Sequence, residues 1–332
     1  MASGKVLRQI VKAGATGDSA AFLQASEAII REERQKQHHL LANDLEQILY
    51  GTPRKASSDA TLGLRERIPV DKERGLPLLI LREPSRGLEE VVLTPEALQV
   101  VEDILEQHRR AEVLRSYGLR PTDKVLFCGP PGCGKTLTAE VVATELSLPL
   151  ALIRLDSVVS SYLGETAANL RKVFDFIESS PMVALFDEFD ALGKERADTS
   201  EHGELKRVIN AVLQMLDAYQ GRSLIIAATN HEGMLDSAIW RRFEEVLVFG
   251  PPNKEQLSQL LSIKLRGVRR EFERDDERVL SLLAEMSHAD VERVLRRAIK
   301  EMILKGEEFL QCRHLEKAQR RETSRRQQFS GI

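Results

Sequence analysis

Apolar residues fall into two rhythms along this chain. Through its middle they form short runs: Val125-Leu126-Phe127-Cys128, Leu150 to Leu155 broken only at Arg154, Met182-Val183-Ala184-Leu185-Phe186, and Ile225-Ile226-Ala227-Ala228 leading into Thr229-Asn230. A strand can be apolar at every position only if both of its faces are covered, which is the situation of a central parallel strand. Between these runs lie helical patterns, one over Thr138 to Leu146 and one beginning near Thr166. From Thr94 to about Gly250 helices and strands alternate, and this order predicts an α/β fold, a parallel sheet with helices on both faces. After Pro251 the rhythm is helical, with apolar positions at Leu257, Leu260, Leu261, Val279, Leu282, Leu283, Val294, Leu295, Ala298 and Ile299.

The flanks divide the rest. Residues 1–51 read as a helical hairpin: Val6, Leu7, Ile10 and Val11 mark a short helix, Gly14 to Gly17 the turn, and Asp18 an N-cap for a longer helix carrying Phe22, Ile29, Ile30, Leu41, Leu45 and Ile48. Residues 52–93 begin as a polar linker. Strands are expected near Leu76–Leu81 and Val91–Leu93, leading into a helix that starts after Thr94-Pro95. Four parts result: 1–51 helical, 52–93 linker and short strands, 94–250 the α/β unit, and 251–332 a helical subdomain with a basic tail.

The loop between the first buried strand and its helix carries candidate chemistry. Gly129-Pro130-Pro131-Gly132-Cys133-Gly134-Lys135-Thr136 fits the phosphate-binding P-loop pattern, followed by Leu137. Its backbone N–H groups must turn inward around a phosphate chain, which side chains at Gly132 and Gly134 would obstruct. Lys135 is placed to meet the β- and γ-phosphates and Thr136 to offer its hydroxyl to Mg²⁺. The run Met182–Phe186 ends in Asp187-Glu188, so Asp187 is the candidate for the Mg²⁺ water shell and Glu188 for polarising the attacking water. Cys133, inside the loop and beside Lys135, is expected to be a reactive thiolate.

Composition narrows the setting. A formal net charge of −3 over 332 residues provides no general basic footprint for nucleic acid. The three cysteines, Cys128, Cys133 and Cys312, are an odd number, which points to a reducing cytoplasm. No apolar run approaches the ~20 residues that span a bilayer, and the first residues lack a signal-peptide core.

Taken together, these motifs resemble the AAA ATPases over about residues 94–325. The resemblance implies ATP as the nucleotide and residues 251–332 as a small helical lid. It implies that Asn230 is the sensor that positions the lytic water. Asp236 to Phe243 is similar to the arginine-finger segment, whose Arg241 and Arg242 reach the ATP of a neighbouring subunit in a homo-hexameric ring. In the lid, Ser287-His288-Ala289-Asp290 is similar to a Gly-Ala-Asp sensor segment, with His288 in place of Gly. His288 and Ala289 are therefore assigned to adenine and ribose, with Arg293 the alternative sensor.

What such an ATPase acts on is suggested by Ser161-Tyr162-Leu163-Gly164-Glu165, which resembles the pore loop of protein-translocating AAA rings. An aromatic ring at Tyr162, backed by Leu163 and Gly164, grips an extended polypeptide by apolar area, with little sequence demand; the other reading has Tyr162 packed beneath its own domain. Arg196 to Gly203 occupies the place of a second pore loop, with His202 facing the channel or solvent. The expected activity is ATP-driven threading or remodelling of protein. The alternatives are a nucleic-acid remodeller, supported only by the basic tail Arg313, Lys317, Arg320, Arg321, Arg325 and Arg326, and a nucleotide-dependent regulatory switch. The whole chain also resembles bacterial AAA ATPases found beside subtilisin-like serine proteases in plasmid-maintenance and phage-defence loci, which implies such a protease as partner.

Overall fold

The computed structural model describes residues 67–72, 74–158, 163–189, 211–230 and 240–330, together with Lys12, Phe22, residues 25–29 and Leu64. The chain divides into two compact units, Met1–Ser58 and Asp59–Ile332. In the first, Lys12, Phe22 and residues 25–29 are helical, and the Ser26 hydroxyl donates to the Phe22 carbonyl one turn earlier at 2.8 Å. The rest of the expected hairpin lies outside the described residues.

The second unit is built on a six-stranded sheet of β1 (Leu79–Arg82), β2 (Lys124–Cys128), β3 (Leu150–Ile153), β4 (Val183–Phe186), β5 (Leu224–Thr229) and β6 (Glu245–Val248). The strand order is β1-β3-β4-β5-β2-β6. All neighbours run parallel except β1, which pairs antiparallel with β3.

The unbroken apolar runs are explained by strand alternation between two cores. On β2, Val125 and Phe127 enter one cluster and Leu126 and Cys128 the other. On β4, Val183 and Leu185 oppose Ala184 and Phe186 in the same way. Helices α1 (Pro95–Arg109) and α3 (Lys135–Glu145) cover the first face, the short α2 (Ala111–Ser116) lying between them in sequence. After the single turn α4 (Leu155–Val158), α5 (Leu163–Ser179) and the helical residues 211–218 cover the second. The edge strand β1 alternates instead, with Leu79 and Leu81 buried and Ile80 exposed.

The expected strand at Val91–Leu93 is not formed. A 3₁₀ turn at Leu88–Glu90 precedes it, and Val91 is extended but pairs with no strand among the described residues. Its neighbours serve two different cores: Leu88 and Leu93 pack under α1 and α3, whereas Val92 is buried in the C-terminal helical cluster. The segment is held by these side-chain contacts with two cores and not by backbone pairing to a strand. Thr94 then caps α1 by accepting from the Ala97 amide at 3.2 Å, with Pro95 at the first helical position.

Four helices form the C-terminal subdomain: α6 (Lys254–Lys264), α7 (Glu277–Leu283), α8 (His288–Leu304) and α9 (Cys312–Ser330). Their buried stripes meet in one cluster around Leu257, Leu261, Val291, Leu295 and Leu315. Asn253 and Gln256 close a reciprocal capping box on α6, and Ser287 caps α8. The Glu322 carboxylate on α9 is 1% exposed and is shared by Arg293 at 2.9 Å, Arg297 at 3.0 Å and Arg325 at 3.4 Å. Two of those arginines come from α8, so the pairing clamps the last helix onto it.

At the end of β2 the chain must pass close to the end of β6. Gly129 has φ +140°, and a Cβ there would lie 2.0 Å from the Phe249 carbonyl oxygen, whereas Gly134 has φ +101° but open space around its Cβ position. Both alanine substitutions therefore strain the backbone, and only the first also collides with a fixed backbone atom. Gly129→Ala should lower stability by at least about 3 kcal/mol and Gly134→Ala by about 1–2 kcal/mol. Urea unfolding without nucleotide checks the order, which equal midpoints would contradict.

Candidate nucleotide site

The carboxyl ends of three adjacent strands, β2, β5 and β4, deliver the phosphate loop, Asn230 and the pair Asp187-Glu188 to one place. Open α/β sheets bind ligands beyond these strand ends. A cavity of about 310 Å³ lies there, walled by Pro131 to Leu137, Asp187, Glu188 and Asn230, and by His288, Ala289, Leu260, Lys264 and Glu292 from the helical subdomain.

Lys135 organises the floor. Its ammonium group, on a residue only 6% exposed, donates to the carbonyls of Gly129 at 2.6 Å and Pro130 at 3.0 Å and to the Asn230 side-chain oxygen at 2.9 Å. A buried cation needs such oxygens around it. Thr136 donates its hydroxyl to Asp187 Oδ2 at 2.9 Å, joining the start of α3 to the end of β4. The Glu188 amide donates to Asp187 Oδ1 at 2.9 Å.

Glu188 has φ +52°, an uncommon conformation for a residue with a side chain. Ser147 and Glu285 share it, but they follow the ends of α3 and α7, where left-handed residues commonly terminate helices. Glu188 instead sits at a cleft wall, where backbone strain tends to be retained for function.

The helical subdomain closes directly on the loop. The Ala289 amide donates to the Gly132 carbonyl at 3.0 Å, and a Cβ on Gly132 would stand 2.8 Å from Ser287 Oγ and 3.1 Å from Ala289 Cβ. Gly132 is thus required by the approach of α8 as well as by its φ of +78°. Lys264 on α6 and Glu292 on α8 pair at 3.1 Å across the wall. Burial tends to raise the Glu292 carboxyl, but Lys264 and Arg296 outweigh it and hold it below its ordinary value.

His288 lines the same cavity, and burial lowers its pKa from the ordinary 6.5. Both ring nitrogens are buried without a hydrogen-bond partner among the described residues, an arrangement that suits a neutral ring facing a polar ligand.

Other expected residues are placed differently. Arg293 does not line the cavity: it pairs with Asp290 and with Glu322 of α9, so the alternative sensor role is not supported by its position. Cys133 is 3% exposed, packed in the core under α1 and α3. Burial raises its thiol pKa and outweighs the nearby Lys135, so the expected reactive thiolate is not found. Arg241 is exposed and forms no ion pair among the described residues, whereas Arg242 is tied to Asp217 at 3.2 Å. Tyr162 and Arg196 to Gly203 lie outside the described residues, and Leu163 and Gly164 are described only as the start of α5.

Arg86, Glu90, Val91, Val92, Leu260, Lys264 and Glu292 also line the cavity. They belong to no local motif; the one hint in the sequence was the apolar pair Val91-Val92. The residues present fit a nucleoside triphosphate with Mg²⁺. The loop offers backbone amides at the start of α3, Thr136 and Asp187 offer the hard oxygens that Mg²⁺ prefers, and open space surrounds the Gly134 Cβ position.

The ATPase family associated with various cellular activities (AAA) matches residues 125–251. An uncharacterized AAA family ATPase, y4kL, of Sinorhizobium fredii is 40% identical over 326 residues, 98% of this chain and 97% of that protein. A putative 26S proteasome regulatory subunit homolog of Methanothermobacter thermautotrophicus is 33% identical over 198 residues, 58% of this chain and 53% of its own length. The ATP-dependent zinc metalloprotease FtsH 3 of Sphaerobacter thermophilus is 30% identical over 262 residues, 77% of this chain and 54% of its own. The chain thus spans about half the length of these last two relatives. No helix among the described residues is long and apolar enough to cross a membrane.

A histidine whose pKa is lower in the folded protein gains a proton on unfolding at pH values between its folded and unfolded pKa. Its contribution to stability is full above the ordinary value of 6.5 and is lost as pH falls below it. Denaturation midpoints measured from about pH 7.5 to about pH 5.5 should fall less steeply for His288→Gln than for the unaltered protein. Parallel profiles would show that His288 is not the titrating group; His108, also lowered by burial, is common to both proteins.

Proposed function

Because the chain belongs to the AAA family of ATPases, we propose that it hydrolyses ATP in a homo-hexameric ring and uses the cycle to remodel or thread protein. The observation that carries this reading is the convergence of Lys135, Asn230, Thr136 and Asp187 through two hydrogen bonds of 2.9 Å, made across 95 and 51 residues of sequence. ATP supplies the phosphoryl group transferred to water, with Mg²⁺ to spread its charge.

The chain's own residues divide the work. Backbone amides from Pro131 to Leu137 cradle the phosphates, and Lys135 neutralises them. Thr136 and Asp187 hold the metal, Asp187 in part through water. Glu188 orients and polarises the attacking water with Asn230 beside it, and His288 and Ala289 receive the adenine and ribose.

Protein as substrate is supported by the relatives whose names include a proteasome regulatory subunit and a metalloprotease, and by the resemblance of Tyr162-Leu163-Gly164 to a pore loop. The partner proposed is a subtilisin-like serine protease in a plasmid-maintenance or phage-defence setting, on the resemblance of the whole chain. Residues 1–51 are its docking region. The odd number of cysteines, Cys128, Cys133 and Cys312, supports a reducing cytoplasm.

Glu188→Gln should bind ATP and lose nearly all turnover, at least about 10²-fold, because the cradle and metal site are separate from the water-orienting carboxylate. Lys135→Ala should lose binding. Nucleotide affinity and phosphate release measured on both variants check this, and normal hydrolysis by Glu188→Gln would overturn it.

The two arginines should differ. Arg241 is exposed and available to a neighbour, so Arg241→Ala should reduce turnover by about 10³-fold or more, and mixing with Lys135→Ala protein should restore part of it. Arg242, anchored to Asp217, should affect stability more than rate. Loss of turnover in Arg242→Ala alone would reverse the assignment.

A further inference from the structure

Helix α8 has the nucleotide cleft at its first turn and a second concavity at its last. Between α8 and α9 lies a groove of about 620 Å³, lined by Arg297, Lys300, Glu301, Leu304 and Lys305 on one side and Lys317, Ala318 and Arg321 on the other. The α8 residues 297, 300, 301 and 304 are spaced three and four apart and so share a face, as do 317, 318 and 321 on α9.

Five cations meet one carboxylate in this groove. Glu301 accepts from Lys305 at 2.9 Å and Lys317 at 2.7 Å, and these partners hold it ionised, at about 2. Arg297 is engaged by Glu322. Lys300 and Arg321 are exposed and form no ion pair among the described residues, leaving two cations without a counter-charge. Beside them Leu304 is 87% exposed and Ile303 is 64% exposed. A helix end with cations and bare aliphatic side chains together calls for an occupant that is both acidic and apolar.

We propose that this groove docks an acidic peptide segment of a partner protein, with an apolar side chain seated on Leu304 and carboxylates paired with Lys300 and Arg321. A groove between two packed helices is a common seat for such segments. Nucleic acid fits less well: no aromatic ring lines the groove to stack a base, Glu301 would repel phosphate, and the whole chain carries a net charge of −3. The occupant approaches the end of α8 away from the ATP site, so the groove is separate from the machinery of hydrolysis.

The test uses the full chain and a fluorescein-labelled peptide of about twelve residues alternating acidic residues with leucine, followed by anisotropy. Saturable binding that weakens with salt is expected. Lys300→Glu combined with Arg321→Glu should lower affinity at least about tenfold, since two cations become anions, with ATP turnover in the absence of peptide unchanged. If that variant is misfolded by circular dichroism, Lys300→Gln with Arg321→Gln replaces it, with a smaller loss expected. Leu304→Ser should weaken binding of the leucine peptide and leave unchanged a peptide of equal charge bearing serine instead. The proposal is overturned if the peptide does not bind at low salt, or if the charge-altered proteins bind it normally. It is also overturned if both peptides and a single-stranded oligonucleotide bind alike and are indifferent to Leu304, which would assign the groove to nucleic acid or to polyanions in general.

Discussion

A buried ammonium group cannot be left without oxygens, and that requirement governs the site of this protein. Lys135 meets it with two carbonyls from its own loop and the side chain of Asn230. The loop carbonyls belong to the turn that leaves β2, and Asn230 belongs to the end of β5, the strand paired to β2 in parallel register. One cation therefore holds together two segments that the sheet has already brought side by side. Any phosphate oxygen entering the cleft would compete with these oxygens for the same ammonium.

The second determinant is the way the helical subdomain is attached. Leu88, Val92 and Leu93 lie within six residues, yet they are distributed between the sheet's helical layer and the C-terminal cluster. The backbone contact from Ala289 to Gly132 makes a direct connection at the other edge of the cleft. The loop after β2 therefore touches α8 directly, and the segment 88–93 touches the cluster that α8 belongs to. At that helix Arg293 and Arg297 grip the buried Glu322, so α9 follows α8. The fold thus runs continuous packing and hydrogen-bond contacts from the loop after β2 to α9.

Two departures from local expectation have one cause. Cys133 is adjacent in sequence to the residues of the phosphate loop, but its side chain falls on the core side of the turn, where desolvation outweighs the nearby positive charge. Arg293 lies only three residues beyond Asp290, but that spacing directs it to Asp290 and across to α9 instead of into the cleft. In both cases the residue type suited the chemistry and the direction of the side chain did not, and direction is set by what packs behind it.

The sequence by itself determined the parts whose evidence is contiguous. Unbroken apolar runs marked β2, β3, β4 and β5 because a parallel strand covered on both faces tolerates no polar side. Gly129 to Thr136 marked the loop between β2 and α3, and Asp187-Glu188 after a buried run marked the acids at the end of β4. Only the tertiary structure decided what depends on distant neighbours. It paired Thr136 with Asp187 and Lys264 with Glu292, left Val91 extended but unladdered, turned β1 antiparallel, and gave Arg242 a partner while leaving Arg241 exposed. Thr136 and Asp187, or Lys264 and Glu292, have no local rule to bring them together: the first pair meets where β2 and β4 end on either side of β5, and the second where α6 and α8 pack in one helical cluster.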